Sequence, residues 1–327
     1  MAEIRILSTD DLRRFVTMSQ AINLMRDAFA ELSSGVTTVP QRIVMEMQPQ
    51  KSRAIIMPAY SANKKYYSTK IVTLSANNPS KKLPYIHGLL LLIDSDSGAP
   101  LCLMDAEYVT ALRTGAASGL ATDLLAREEA RVAMIFGAGS QARTQLEGIA
   151  AVRKLDRVYV LSPVKSNAEE FSTEMSSKLN LHVEPADSPQ KIAEADIVCT
   201  ATTSDVPVFQ HRDLKIGVHI NGVGSYKATM RELPADTVQR AKVVVDSRSA
   251  ALSEAGDIVI PINEGIITGD HLHAELGEII LGKKPARSNQ REITVFKSVG
   301  NAVQDLAIAY YVFEVSQGQD NVKFVNF

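Results

Sequence analysis

The chain has 327 residues, a length that suggests about two domains. Its 45% hydrophobic and 22% charged residues are those of a globular protein and argue against disorder, collagen-like repeats and coiled coils. Thirty-five basic against 37 acidic side chains leave a net charge of −2, with no positive excess to hold a nucleic-acid backbone.

Ser8, Thr9, Asp10 and Asp11 open a helical region, and Ile22, Met25, Phe29 and Leu32 recur at helical spacing until Ser33-Ser-Gly35 stops the run. Over 36–103 short apolar runs alternate with turn residues. The run at 53–57 meets Pro58, that at 69–73 meets a polar tract, and 87–93 meets the hairpin-turn composition Asp94-Ser-Asp-Ser-Gly98, with 100–104 beyond it. This texture predicts a mostly antiparallel sheet. Residues 106–127 are mainly Ala, Leu and Thr, which suits a long helix packed closely on a neighbour. Strand and helix then alternate: strands at 131–136, 157–161, 181–184, 196–201, 217–222 and 242–246, helices at 141–153, 166–179 and 188–195. The alternation predicts a parallel, doubly wound sheet. Near the end Val299, Val303, Leu306, Tyr310 and Phe313 share one helical face, expected to return to the first domain. The fold class is thus α/β: a Rossmann-type unit over 119–304, plus a mostly antiparallel α+β unit from 1–118 with 305–327.

Cys102 and Cys199 are too few for a disulfide framework, which favours a reducing compartment. The first 15 residues lack a signal-peptide pattern, and the apolar run at 88–93 is too short to cross a bilayer. A cytoplasmic protein with no membrane partner is expected.

Phe136 ends a strand, and Gly137-Ala-Gly139-Ser140-Gln141-Ala142 leads into a helix. This is a GxGxxA fingerprint in its proper setting of strand, glycine turn and helix. The first glycine makes the turn, the second admits a pyrophosphate, and Ala142 allows close helix–sheet packing. N–H groups at the helix start would hold the phosphates. The next strand ends Ser162-Pro-Val-Lys165 without the acid that usually bonds the ribose of NAD. Ser162 and Lys165 suit a 2′-phosphate, so NADP(H) is favoured, with NAD(H) the alternative.

Three basic residues stand where a charge is unexpected: Arg42 before an apolar run, Lys70 inside a strand-like segment, and Arg113 among small residues on the long helix. Converging, they would clamp a carboxylate. Isolated cations are usually solvated, however, and spacing alone does not bring these three together.

The ordered motifs Pro40-Gln-Arg42, Lys70-Ile-Val-Thr73, Leu112-Arg-Thr-Gly-Ala-Ala-Ser118, the glycine fingerprint, His219-Ile-Asn-Gly-Val-Gly-Ser225 and Phe296-Lys-Ser-Val-Gly300 resemble the ornithine cyclodeaminase/μ-crystallin family over about 5–315. The resemblance implies a homodimer that interconverts a small imino acid and an amino acid with a nicotinamide cofactor. It assigns Arg42, Lys70 and Arg113 to the substrate carboxylate. It brings the Lys297-Ser-Val-Gly300 backbone toward the nicotinamide; Thr114 and Ser118 are candidates for the cofactor phosphates, and Val223 and Ser225 for the cofactor.

Two departures choose among members. Where cyclodeaminases carry an Asp against the reacting amine stands Tyr226, a pocket-lining residue, which removes the simplest base for amine deprotonation. Where they carry a Glu for the distal amine of ornithine stands Ile55, which cannot pair an ammonium. The chain is therefore most similar to the ketimine reductase branch, which reduces 1-pyrroline-2-carboxylate and 1-piperideine-2-carboxylate to proline and pipecolate. Glu254 is the candidate carboxylate for the imine nitrogen, and Lys70 a second candidate catalytic residue as proton donor. Alternatives are an ornithine cyclodeaminase, an amino-acid dehydrogenase such as alanine dehydrogenase, or a non-enzymatic, crystallin-like binding protein. His87 reads as structural. His211, His219, His271 and His273 lack ligand spacing, so no metal is expected.

Overall fold

The computed structural model describes residues 3–319 and 322–326. Two compact units divide the chain, Met1–Arg113 with Asn301–Phe327, and Thr114–Gly300. The first begins with β1 (Glu3–Leu7), α1 (Thr9–Phe15), α2 (Met18–Ser34), β2 (Thr37–Thr38), β3 (Ile43–Met47), β4 (Ser52–Ser61), β5 (Tyr66–Ser75), β6 (Ile86–Asp94) and β7 (Pro100–Asp105). Helix α3 (Ala106–Leu125) carries the chain into the second unit. There follow β8 (Val132–Phe136), α4 (Ser140–Val152), β9 (Arg157–Leu161), α5 (Lys165–Leu179), β10 (Val183–Pro185), β11 (Ile197–Thr200), β12 (His219–Gly222) and α6 (Ala235–Arg240). The unit ends with β13 (Lys242–Val245), α7 (Arg248–Glu254), α8 (Gly256–Asn263), β14 (Leu272–Glu275), α9 (Leu276–Ile280) and β15 (Thr294–Lys297). The chain then rejoins the first unit as α10 (Ala302–Val315) and β16 (Lys323–Asn326).

In the first unit, the helical region expected from Ser8 onward is two helices. Ser8 with Asp11 and Thr17 with Gln20 form successive capping boxes, so a new helix starts where Val16 leaves the helical conformation. Gly35, at φ +81°, ends α2 in the left-handed region that glycine enters without strain. The sheet runs β16-β1-β7-β6-β5-β4-β2, with β3 also paired to β4. Its pairs are antiparallel except β1 with β7. Alternation fixes its faces: Ile55, Met57 and Ala59 of β4, and Ser68, Lys70 and Val72 of β5, point into the core. Helix α10 covers that face, packing on α2 and on β4–β6. Val299, expected on this helix, precedes the Asn301 cap that opens it.

The second unit holds a fully parallel sheet in the order β10-β9-β8-β11-β12-β15-β13-β14. Apolar clusters cover both faces: Met134, Phe136 and Ile220 belong to one, Ile135, Val160 and Phe171 to the other. Two strands go beyond the expected series, β14 and β15, and β15 slots between β12 and β13 although it follows both in sequence. The expected helix at 188–195 is a 3-10 turn, Pro189–Glu194. Within this unit α3 and α4 touch through glycines: a Cβ on Gly148 would lie 2.1 Å from the Gly115 carbonyl oxygen. The chain moves outward from β8 through β9 to β10, then returns to β11 on the other side of β8. The loop leaving β8 therefore opens at the point where strand order reverses, the place where such sheets bind ligands.

Candidate active site

The inward turn of β5 buries Lys70, a charged group that needs partners. Its Nζ donates to Asp305 Oδ1 at 2.9 Å and to Thr110 Oγ1 at 3.2 Å. Arg113, one α-helical turn beyond Thr110 on α3, brings Nε to 2.9 Å from the same Asp305 carboxylate, and its Nη1 donates to Gln304. Lys70 and Arg113 thus meet inside the first unit, sharing one carboxylate. Arg42, half-buried, adds its charge at Lys70. Burial chiefly, with Arg113 second, lowers the Lys70 ammonium from 10.5 to about 7 against the opposing pull of Asp305. Two buried cations share one carboxylate, with a third cation acting on Lys70, an arrangement chemically suited to an anion. On the same inner face Ile55 stands opposite Val72, both buried. His87 is exposed on β6.

In the second unit Gly137 turns at φ +101°, and a Cβ there would strike the Ala201 carbonyl oxygen at 2.4 Å. Gly139 differs: it caps α4 with ordinary dihedrals (φ −84°, ψ −174°), and a Cβ on it would meet nothing within 4 Å. No side chain caps the helix start, and Gln141 Oε1 is buried without a hydrogen-bond partner. An uncapped helix N-terminus beneath an open glycine, at the sheet's reversal point, fits a dinucleotide pyrophosphate. Ser140 is exposed and Ala142 fully buried, as the fingerprint requires. Thr114 adjoins Gly115, whose backbone touches Thr144 in the early turns of α4. Ser162 Oγ accepts from the Val164 N–H at 3.4 Å, and Lys165, at the start of α5, is 87% exposed beside Glu169.

Three carboxylates that drew no notice in the sequence hold the neighbouring loops. Buried Glu232 accepts from the N–H groups of Thr202, Gly224 and Ser225 and from the hydroxyls of Thr200 and Thr202, tying the loop after β11 to the loop after β12. Burial, then the nearby Asp257 charge, raises its pKa. Asp257 accepts from the N–H groups of Glu232 and Leu233 and pairs with Lys297 at 3.0 Å. Asp246 accepts from the N–H groups of Val299 and Gly300 and the Ser298 hydroxyl. Among residues expected at the cofactor, Val223 bonds the Thr200 carbonyl through its N–H. The side chains of Ser225 and Lys297 are committed inside the unit, to the Met230 carbonyl and to Asp257 respectively. Tyr226 lies under the Lys227 ammonium and Glu254 is the last residue of α7, both in this second unit. His219 is buried between Thr294 and Asn221, and desolvation with the Arg287 charge pushes it down to about 3, so it stays neutral.

Residues 3–320 match the family model described as Ornithine cyclodeaminase/mu-crystallin family. The chain belongs to this family. Within the family it is 39% identical, over 94% of its length and 95% of the relative's, to Delta(1)-pyrroline-2-carboxylate reductase of Bacillus thuringiensis subsp. konkukian (strain 97-27). Among solved structures, Delta(1)-pyrroline-2-carboxylate reductase of Thermococcus litoralis, in complex with NADH and L-proline, superposes with a TM-score of 0.95 at 40% identity, covering 99% of this chain and 100% of that one. An archaeal alanine dehydrogenase dimer with bound NAD gives 0.93 at 31% identity, covering 99% of both chains. Among the described residues, no helix is long and apolar enough to cross a membrane and no His, Cys, Asp or Glu group is arranged to hold a metal.

Proposed function

We propose that this chain is an NAD(P)H-dependent reductase of cyclic imino acids, converting 1-pyrroline-2-carboxylate to L-proline and 1-piperideine-2-carboxylate to L-pipecolate. The observation that carries the reading is the buried pair of cations Lys70 and Arg113 on one carboxylate, with half-buried Arg42 beside Lys70, within a chain so similar to pyrroline-2-carboxylate reductases. Arg42, Lys70 and Arg113 bind the substrate carboxylate. Lys70, near 7 before substrate arrives, gains affinity for its proton once a carboxylate lies beside it, so binding loads the group that serves as acid. Apolar Ile55 and Val72 suit a ring carbon better than a second ammonium, which disfavours ornithine. Tyr226 lines the pocket, and half-buried Glu254 is the carboxylate that favours the protonated imine.

The bound nicotinamide supplies the hydride. Gly137, Gly139, Ser140, Gln141 and Ala142 cradle its pyrophosphate, with Thr114, Val223, Ser225 and Lys297 framing the cofactor through side chain or backbone. Ser162 and Lys165 receive a 2′-phosphate, so NADPH is preferred. Replacing Ser162 by Asp brings a like charge to that phosphate and is expected to raise KM for NADPH roughly tenfold or more relative to NADH. Parallel titrations of the two cofactors check this.

The reductase is a cytoplasmic homodimer in this reading. Ile43, Ile56, Ile71 and Leu89 share one register row on the outer sheet face, and Ile43, Ile71 and Leu89 are about half exposed. An apolar sheet face of this kind marks an interface. Sedimentation equilibrium is expected to give twice the chain mass, and Ile71→Glu to give the monomer.

The test of function is steady-state loss of NADPH and NADH with each imine, beside ammonia release from L-ornithine with NAD. Cofactor oxidation with an imine and no ammonia supports the reductase. Ammonia and proline from ornithine would replace it with a cyclodeaminase.

A further inference from the structure

We propose that Asp305 is a positioning residue for substrate capture: its single carboxylate, shared by the Lys70 ammonium and the Arg113 guanidinium, fixes both cations as a preformed anion receiver and keeps the proton on Lys70. The inference rests on the carboxylate-binding role proposed above for those two cations.

The arrangement is closed to water, with side-chain exposures of 1% for Lys70, 5% for Arg113 and 0% for Asp305. Long cationic side chains in such a place need a fixed counter-charge, and its number matters. With no carboxylate, two buried like charges would face each other and Lys70 would shed its proton. With two, the receiver would be neutralised before substrate arrived. One carboxylate leaves the cations ordered and still in excess.

Helix α10 is built to deliver that carboxylate. Asn301 caps it in a capping box with Gln304, and Asp305 falls in its first turn, where the positive end of the helix dipole favours the ionised acid. Gln304 also accepts from Arg113 Nη1, so adjacent residues of one helix turn hold the guanidinium at two of its nitrogens. Around Lys70, α3 supplies Thr110 and Arg113, α10 supplies Asp305, and Arg42 comes from the segment before β3. The strands flanking β5 place apolar Met57 and Leu90 opposite it. Asp305 is the sole acid in this set, so the Lys70 proton depends on it.

Asp305→Asn keeps the shape and removes the charge. Two quantities are measured beside wild type: the pH profile of kcat/KM for 1-pyrroline-2-carboxylate with NADH, and L-proline affinity by calorimetry at several pH values. The alkaline limb is expected to move down by about one pH unit or more. L-proline binding is expected to weaken about tenfold, with the KM effect exceeding the kcat effect and NADH affinity unchanged. A purely structural role would lower the melting temperature and leave the limb in place. An unmoved limb with wild-type L-proline affinity overturns the proposal. If the Asn variant does not fold, Asp305→Glu carries the test. Its carboxylate, displaced by one methylene, is expected to raise KM about tenfold, and a wild-type KM there overturns the proposal. A wild-type protein that neither turns over the imine nor binds L-proline refutes the proposed function itself, an outcome distinct from equal behaviour of wild type and variant.

Discussion

Replacing Lys70 by Met is expected to lower kcat/KM for 1-pyrroline-2-carboxylate by about a thousandfold, combining a lost charge-assisted hydrogen bond with a lost general acid. The substitution is informative because the fold should survive it. Met matches the stem of Lys in length and suits the apolar strand neighbours Met57 and Leu90. Asp305 is not stranded, because Arg113 still approaches it at 2.9 Å. Removing a buried ammonium also relieves a desolvation cost, visible in the fall of its pKa from 10.5 to about 7. The sign follows from proton binding. Between about pH 7 and 10.5 the unfolded chain holds the Lys70 proton more tightly than the folded one, so this group makes wild-type stability rise with pH across that window. Lys70→Met should lose that rise. Urea titrations across the window, paired with kinetics and dinucleotide binding, separate the outcomes. A variant with lost turnover, intact cofactor affinity and a flatter stability profile supports the assignment, whereas near-wild-type turnover removes Lys70 from the substrate site.

The two fingerprint glycines should fail in different ways. Gly139→Val is expected to weaken NADH and NADPH binding roughly ten- to a hundredfold, the overpacking range of about 1–3 kcal/mol. The unfolding midpoint without cofactor should stay unchanged. A Cβ at that position meets no protein atom within 4 Å, and its dihedrals suit any residue, so the protein itself sets no need for glycine there. Gly137→Val should damage both properties. Its φ of +101° is hostile to a β-branched residue, and the new Cβ would collide with the Ala201 backbone at 2.4 Å. Thermal melts and fluorescence titrations of the two variants make the comparison. If Gly139→Val binds dinucleotide as wild type does, the pyrophosphate does not pass that glycine and the cofactor site must be moved.

What the sequence disclosed and what it hid follow from range. The strands of the second unit up to β13 are short apolar runs separated by helices or polar loops, so their existence could be read locally. The place of β15 could not, because a strand that enters the middle of a sheet last is defined by partners remote in sequence. The cations Arg42, Lys70 and Arg113 were legible as misfits and gained meaning from the family resemblance. Their counter-charge was not legible: Asp305 lies 235 positions from Lys70 and reads alone as one acid in an apolar helix. The adjacent polar pair Gln304-Asp305 in that helix was the available signal. Glu232, Asp246 and Asp257 were hidden for the same reason, since each satisfies backbone or charge contributed by a different stretch of chain.

Imine reduction stands or falls on the fate of the hydride. The protein would be incubated with 1-pyrroline-2-carboxylate and NADH or NADPH carrying deuterium at both C4 positions of the nicotinamide, and the amino acid formed would be analysed by mass spectrometry. L-proline carrying one deuterium on its α-carbon is expected, formed mole for mole with oxidised cofactor. Unlabelled proline, or no proline while the imine and reduced cofactor persist, would contradict it.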